Sequence, residues 1–184
     1  MGDDAPMIIR PEEPRDVPAI DAVHRSAFGG PDGSPDGGNE GDGEPGEVGL
    51  VHRLRDDRLL VVSLVAEPPD GAVVGHVCLS RGDLAGTRAS GLGPLGVRPD
   101  VQRTGVGSAL MHAALAAAQA AGEAVVLLLG DPAYYARFGF GPAASLGISP
   151  DVAQWAGPHF QAHRLGDGTV PAGVFRYAEP FYSL

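Results

Sequence analysis

Residues 91–122 read GLGPLGVRPDVQRTGVGSALMHAALAAAQAAG and contain the pattern from which the fold can be inferred. A short apolar run, residues 92–97, is followed by Pro99 and by a glycine-bearing turn that leads into an alanine-rich segment. Alanine is the strongest helix former, and apolar residues recur at helical spacing in residues 106–118. The stretch therefore predicts a strand, a tight turn and a helix that ends at Gly122.

The turn before this helix is a candidate anion site. The first backbone N–H groups of a helix have no intrahelical partner, and the helix dipole adds partial positive charge there. Gly105 and Gly107 lack the Cβ atoms that would keep a phosphate away from the backbone. We therefore expect a pyrophosphate to bind the N–H groups of Gln102, Arg103, Thr104, Gly105, Val106, Gly107 and Ser108.

Two common nucleotide-binding patterns are absent from this turn. The dinucleotide-binding pattern Gly-x-Gly-x-x-Gly would need a glycine at position 110, which is leucine. A P-loop would need a lysine, and the chain contains none. For the Gly-x-Gly tripeptide taken alone, an ordinary turn before a helix remains the alternative interpretation.

The longer pattern Gln102-x-x-Gly105-x-Gly107, placed between a strand and a helix, resembles the acetyl-CoA motif of the GNAT N-acetyltransferase superfamily. The block GDPAYYARFGF at residues 130–140 is similar to the family's Tyr-x-x-x-Gly-Phe signature. Residues 129–140 and 157–160 together resemble the YhbS-type bacterial branch. The resemblance implies an α/β (α+β) GNAT-like domain: a mixed, mostly antiparallel central sheet flanked by helices, with a splayed parallel strand pair that holds the acyl-CoA.

The resemblance also implies an enzyme that moves an acetyl group from acetyl-CoA directly to a primary amine of a small molecule or peptide, without a covalent enzyme intermediate. Leu95 and Val97 would contact the pantetheine arm through their backbone. Tyr135, four residues before Gly139, matches the family's signature tyrosine and is the expected catalytic residue, a proton donor to the leaving thiolate. Core packing is the alternative role for Tyr135, and Tyr134 is expected to pack.

Other functions and other catalytic groups stay open at this point. A non-catalytic acyl-CoA-binding sensor or partner module could keep the same fold, and an acyltransferase could use another acyl donor or a hydroxyl acceptor. No general base is identified among His76, His112 and Glu67, and a chain of water molecules is an equal candidate. His24 is interpreted as a helix-surface or boundary histidine.

The composition favours one domain over residues 1–184 that has neither nucleic acid nor membrane as a partner. The net charge of −10 opposes binding to a phosphate backbone, which needs clustered Lys and Arg. The N-terminus lacks the features of a signal peptide, and no apolar run is long enough to span a bilayer. A single cysteine, Cys78, fits a reducing compartment, so we expect a cytoplasmic protein. A homodimer is an expectation based on the family.

Residues 29–46, GGPDGSPDGGNEGDGEPG, are expected to form a flexible insertion. The resemblance implies that this connection borders the acceptor site, where its carboxylates could attract a cationic amine. His159 and His163 suggest a metal pair, but on a strand their side chains would stand about 13 Å apart. That distance is too long for one ion, so no metal is expected.

Hydrophobic patterning predicts the remaining elements. Strands are expected at residues 7–10, 59–67, 72–80, 92–97, 124–129, 160–165 and 174–177, and further helices at residues 47–55, near 131–139, and from a start in residues 12–18 to about Phe28. Residues 124–129 are apolar throughout, as in a buried parallel strand reached by a right-handed crossover. Pro94 and Gly96 predict a bulge or a break in pairing.

Overall fold

The computed structural model of the chain describes residues 7–29 and 44–184. In these residues the strands are β1 (Ile8–Pro11), β2 (Leu60–Glu67), β3 (Gly75–Leu84), β4 (Thr87–Val97), β5 (Val125–Leu129), β6 (Gly141–Pro142), β7 (Ile148–Pro150), β8 (Phe160–Arg164) and β9 (Gly173–Arg176). The α-helices are α1 (Val17–Phe28), α2 (Gly46–Asp56), α3 (Val106–Ala120) and α4 (Pro132–Tyr135). Residues 30–43, most of the expected flexible insertion, lie outside the described part.

All of these strands belong to one mixed sheet. Its main order is β1-β2-β3-β4-β5-β8-β6, and β9 pairs with both β3 and β7. Most pairs are antiparallel, whereas β4 and β5 are parallel and are joined through α3. The expected crossover unit and the mostly antiparallel sheet are therefore confirmed. In the described part of the chain, no helix has the length and apolar composition of a membrane span.

Helices cover both faces of the sheet. Leu110, Met111 and Ala114 of α3 are fully buried and pack on one face. Ile20 of α1 and Leu54 of α2 are fully buried on the other face. These apolar residues recur at the helical spacing seen in the sequence, which is why the three long helices were predictable.

The hairpin between β3 and β4 is longer than the sequence predicted. The prediction ended β3 at residue 80 and began β4 at residue 92, but the ladder extends to the pair Leu84–Thr87. Ala85 and Gly86 form the connection with φ angles of 50° and 76°, the left-handed pair typical of tight hairpins. Gly82 is needed inside β3 because a Cβ there would lie 2.3 Å from the ring of Phe175.

The parallel pair β4–β5 separates after a few residues. Its ladder consists of the pairs Ala89–Val125, Ser90–Val126 and Gly91–Leu127. Beyond Gly91, β4 stays paired with β3, while β5 stays paired with β8. The irregularity predicted from Pro94 and Gly96 is also present, since the β3–β4 register shifts between Val77 and Leu79 and the Gly93–Pro94 peptide is cis. A gap therefore opens beside residues 92–97.

Candidate active site

The edge of β4 that faces this gap presents backbone polar groups. Arg98 donates its N–H to the carbonyl of Val74 at 2.9 Å, so the backbone of Arg98 is turned toward β3. Because residues alternate in direction along an antiparallel ladder, Val97 and Leu95 turn their N–H and C=O groups toward the gap. The carbonyl of Val97 accepts a hydrogen bond from Nε2 of Gln102 at 3.0 Å. A ligand arm in the gap would meet the backbone of these two residues.

The turn between β4 and α3 leaves several N–H groups available. Ala109 donates to the carbonyl of Gly105 at 2.9 Å, so the N–H groups of Val106, Gly107 and Ser108 precede the first intrahelical donor. Arg103 and Gly105 have φ angles of 62° and 99°, the left-handed conformation from which anion-binding concavities are built.

Two details of this turn bear on the predicted anion site. No atom of the described residues lies within 4 Å of a Cβ built at Gly105, so the approach to the backbone is open there. The N–H of Gln102 already donates to the carbonyl of Pro99 at 3.4 Å. Gln102 therefore holds the loop against β4 through its hydrogen bond to Val97, and the N–H groups of the residues that follow it remain available to an anion.

The hydroxyl of Tyr134 lies beside the glycine-bearing turn at the start of α3, a position that the sequence did not predict. A Cβ at Gly107 would lie 2.9 Å from the hydroxyl oxygen of Tyr134 and 3.7 Å from Cγ2 of Val97. The tyrosine also packs as expected, because Arg137 lies over its ring at 4.6 Å. Gly107 therefore allows α4, α3 and β4 to meet beside the gap.

Tyr135 is held by α4 and by the aromatic residues around it. The side chain of Asp131 caps this helix by accepting a hydrogen bond from the N–H of Ala133 at 2.9 Å. The Tyr135 ring makes edge contacts with Tyr134 and Phe140, with centroids 4.9 and 5.9 Å apart. Burial, and secondarily the neighbouring Tyr134, raises the pKa of Tyr135 to about 12. The phenol therefore keeps its proton at neutral pH.

A buried polar network, here called the His24 network, lies beneath β4. It connects Glu12, His24, Arg55, Ser63 and His76. His24 Nε2 lies 2.8 Å from His76 Nδ1, and His76 Nε2 lies 2.9 Å from the hydroxyl of Ser63. The Ser63 hydroxyl donates to Glu12 at 2.6 Å, and Arg55 donates to both oxygens of that carboxylate.

Burial and hydrogen bonding together decide the ionisation of this network. His24 and His76 are fully buried, and burial lowers the pKa of both rings, that of His24 to about 3 with help from His76 and Arg55. Burial of Glu12 acts in the opposite direction, but hydrogen bonds from His76, Arg55 and Ser63 outweigh it and hold the pKa of that carboxyl below its usual range. At neutral pH the network therefore contains two neutral imidazoles and one carboxylate.

The interpretation of His24 as a surface or boundary histidine is wrong. Its side chain is fully buried, stacks on Phe28 at 5.8 Å and contacts a strand at the centre of the sheet. A signal was present in the sequence, because His24 shares a helical face with Ile20 and Val23. A histidine on such an apolar face needs a polar partner, and its partner is 52 positions away.

The other candidate residues lie elsewhere. Glu67 accepts a hydrogen bond from Nε of Arg10 at 2.8 Å, and His112 is exposed on α3 with its ring edge-on to Phe138. His159 and His163 direct Nδ1 to the carbonyls of Gly130 and Gly139. Within residues 7–29 and 44–184, no group of three or more metal-ligating side chains occurs.

Known proteins share this architecture. The protein-family model of the acetyltransferase (GNAT) domain matches residues 56–142 of the sequence. Over 181 residues the chain is 36% identical to the uncharacterized N-acetyltransferase YhbS of Escherichia coli K12, with 95% of this chain and 98% of YhbS covered.

Two solved structures are similar along almost the whole chain. The crystal structure of E. coli YhbS in complex with CoA matches with a TM-score of 0.81 and 35% identity, covering 96% of this chain and 92% of YhbS. A GNAT family acetyltransferase of Brucella melitensis in complex with acetyl-CoA matches with a TM-score of 0.74 and 33% identity, covering 96% and 98% of the two chains. Identity and coverage at this level show that the chain belongs to the GNAT N-acetyltransferase family.

Proposed function

We propose that the protein transfers an acetyl group from acetyl-CoA to a primary amine of a small molecule or peptide. The observation that carries this proposal is the gap between β4 and β5, which opens at Gly91 beside the free N–H groups of α3. The structures of E. coli YhbS and of the Brucella melitensis acetyltransferase contain CoA and acetyl-CoA, respectively. Because every described strand belongs to one sheet, we also propose one domain over residues 1–184.

The residues around the gap fit acetyl-CoA. In the proposed complex the pyrophosphate meets the positive end of the α3 dipole, where glycine lets it reach the backbone. The pantetheine arm lies along β4, where Leu95 and Val97 offer backbone donors and acceptors to its amides. Gln102 contributes indirectly, because its side-chain amide donates a hydrogen bond to the Val97 carbonyl and so fixes the backbone of β4 beside the arm. The proposed pyrophosphate contacts are Arg103, Thr104, Gly105, Val106, Gly107 and Ser108.

The chemistry needs few protein groups, because acetyl-CoA supplies an activated thioester that an amine can attack directly. The N–H of Leu95 can polarise the acetyl carbonyl and stabilise the negative charge that develops on its oxygen. Tyr135 donates its phenolic proton to the departing thiolate, a role that requires the phenol to remain neutral at the working pH. Burial keeps it neutral by raising the pKa of Tyr135.

The first experiment is thermal unfolding with and without acetyl-CoA, CoA and NAD. A ligand that binds only the folded state raises the unfolding midpoint by mass action. Acetyl-CoA and CoA should raise the midpoint, and NAD should not. In Gly105→Glu the shift should disappear, because the new carboxylate enters the open approach to the anion site.

Gly86→Glu is the matched control for backbone strain. Gly86 also has positive φ, 76°, and no atom of the described residues lies within 4 Å of its Cβ position. Its variant should lose intrinsic stability like Gly105→Glu but keep the shift with acetyl-CoA. Equal shifts in all three proteins would overturn the proposed cofactor site. Thiol release with a panel of amines then distinguishes the enzyme from a non-catalytic acyl-CoA sensor.

A further inference from the structure

The hydrogen bonds of the His24 network have one consistent direction. Because the Ser63 hydroxyl donates to the Glu12 carboxylate, its oxygen is free to accept from His76, which places a proton on His76 Nε2. His76 Nδ1 then has a lone pair, which accepts a hydrogen bond from His24 Nε2–H. In this tautomer, assigned from the partners, Nδ1 of His24 also has a lone pair.

That lone pair has no partner in the described part of the chain, and its nitrogen is fully buried. It points to the backbone of β4, since a Cβ at Gly96 would lie 2.7 Å from His24 Nδ1. Gly96 stands between Leu95 and Val97, the residues proposed to hold the pantetheine arm. A buried polar atom left unpaired costs about 1–3 kcal/mol, so a partner supplied by a bound substrate would explain its presence.

We propose that His24 is the general base of acetyl transfer, which takes the proton of the attacking amine at Nδ1, and that His76, Ser63 and Glu12 hold its ring in the required tautomer. This inference rests on the proposed N-acetyltransferase function. A base whose ring is oriented by a further hydrogen-bonded group is a recurrent arrangement in enzymes that activate nucleophiles, and His76 is that group for His24.

The proposed step balances protons and electron pairs. The amine nitrogen forms a bond to the acetyl carbon, and the carbon–sulfur bond breaks with its electron pair on sulfur. One amine proton passes to His24 Nδ1, and Tyr135 gives a proton to the sulfur. The reaction of a neutral amine has no net proton change, so between turnovers the histidine loses the proton that it took and Tyr135 regains one.

The surroundings of the two rings keep both imidazoles neutral at rest. Burial lowers the pKa of both histidines, so the lone pair of His24 is available at neutral pH. Arg55 on α2 acts in the same direction, whereas Glu12 before α1 and Asp21 on α1 favour a positive charge on His76. As His24 takes the proton, its Nε2–H can shift toward His76 and move the positive charge closer to the Glu12 carboxylate.

The decisive variant is His24→Gln. Glutamine can keep an N–H donor toward His76 but has no basic atom. Thiol release is measured with acetyl-CoA and with spermidine, an aminoglycoside and a tripeptide as amine probes. The expected result is a loss in kcat of about 100-fold, with an unchanged KM for acetyl-CoA and an unchanged melting shift. His76→Gln should lower kcat by a smaller factor, also without a change in that KM.

His52→Gln is the matched control, because His52 lies on neighbouring α2 and contacts Asp21 at 3.0 Å, outside the network. Its turnover should equal that of the wild type. If the wild type turns over and His24→Gln matches it, the general base is overturned and the proposed function stands. If none of the probe amines supports release by the wild type, the proposed function and the base are both contradicted.

A second measurement does not depend on turnover. In ¹⁵N-histidine NMR spectra at pH 7, the ring that disappears in His24→Gln should carry its proton on Nε2 and none on Nδ1. The opposite tautomer, or a doubly protonated ring, would overturn the proposal even in an active enzyme.

Discussion

The ring of Tyr135 occupies the space that a side chain at Gly130 would need, since a Cβ there would lie 2.3 Å from Tyr135 Cε2. Gly130 directly follows β5, the strand that separates from β4 to open the gap. The Tyr135 ring can therefore take this position only because residue 130 is a glycine.

Gly130→Ala should therefore displace the Tyr135 ring. We expect kcat for acetyl transfer to fall about tenfold or more, because proton transfer requires the donor within hydrogen-bond reach. Stability should fall by about 1–3 kcal/mol, the usual cost of overpacking. Initial rates and urea unfolding check the two effects.

Gly141→Ala is the control, because no atom of the described residues lies within 4 Å of its Cβ position. It should leave both kcat and the unfolding midpoint close to wild-type values. If Gly130→Ala behaved in the same way, the ring would be free to move aside and its position would not matter for catalysis.

Tyr135→Phe tests the hydroxyl itself. Removing the proton donor should lower kcat about 100-fold and leave the acetyl-CoA melting shift intact, because the anion site and the backbone of β4 are unchanged. Tyr134→Phe is the neighbouring comparison, expected to keep most of the turnover because its ring contacts with Tyr135 and Phe138 remain. Steady-state kinetics of the two variants would contradict the assignment if the larger loss belonged to Tyr134.

The strand, turn and helix of residues 91–122 could be predicted because their signals are local. Helical spacing defines α3, and the Gly105 turn needs the left-handed φ of 99° that favours glycine. The extension of β3 to Leu84 could not be predicted, since the polar residues 81–83 become strand only through pairing with β4 and through the fit of Phe175 over Gly82.

In the candidate site, too, local motifs could be predicted and long-range pairs could not. The residues 102–108 and Tyr135 follow from contiguous motifs, so their proximity to the gap needed only the crossover unit. The pairing of His24 with His76 needed the knowledge that α1 lies over this part of β3 and β4. No local pattern contains that information, so the sequence alone assigns neither histidine a role.

Stability should decline as the pH falls below about 6.5, where the free imidazole titrates. Burial holds the pKa of His24 at about 3, so between these two values the unfolded chain binds a proton that the folded chain does not. The unfolded state is therefore favoured as protons are added, and His24 alone should lower the free energy of unfolding by roughly 2–3 kcal/mol between pH 6.5 and 4.5, to which His76 adds in the same direction. Urea unfolding across this range measures the drop.

The double variant His24→Gln, His76→Gln separates this effect from carboxylate titration. Without the two buried imidazoles, its stability should be nearly flat down to about pH 5, below which paired carboxylates such as Glu12 begin to be protonated. His52→Gln should keep the wild-type decline. A wild-type curve that is flat from pH 6.5 to 5 would mean that the histidines are protonated in the folded protein.

Tyr177→Phe should leave stability unchanged or raise it by up to about 1 kcal/mol, because it removes a buried polar atom without a protein partner. The hydroxyl of Tyr177 is one of the buried side-chain atoms that lack a hydrogen bond in the described part of the chain. Its ring, which packs on Gly91 and against Phe175, would remain in place.

Tyr182→Phe is the matched comparison, since the Tyr182 hydroxyl accepts from the Tyr177 N–H at 3.1 Å and donates to Asp151 at 2.9 Å. Removing the Tyr182 hydroxyl should lower the free energy of unfolding by about 1 kcal/mol. If Tyr177→Phe lowered it more than Tyr182→Phe, the Tyr177 hydroxyl would have a partner, such as a bound water.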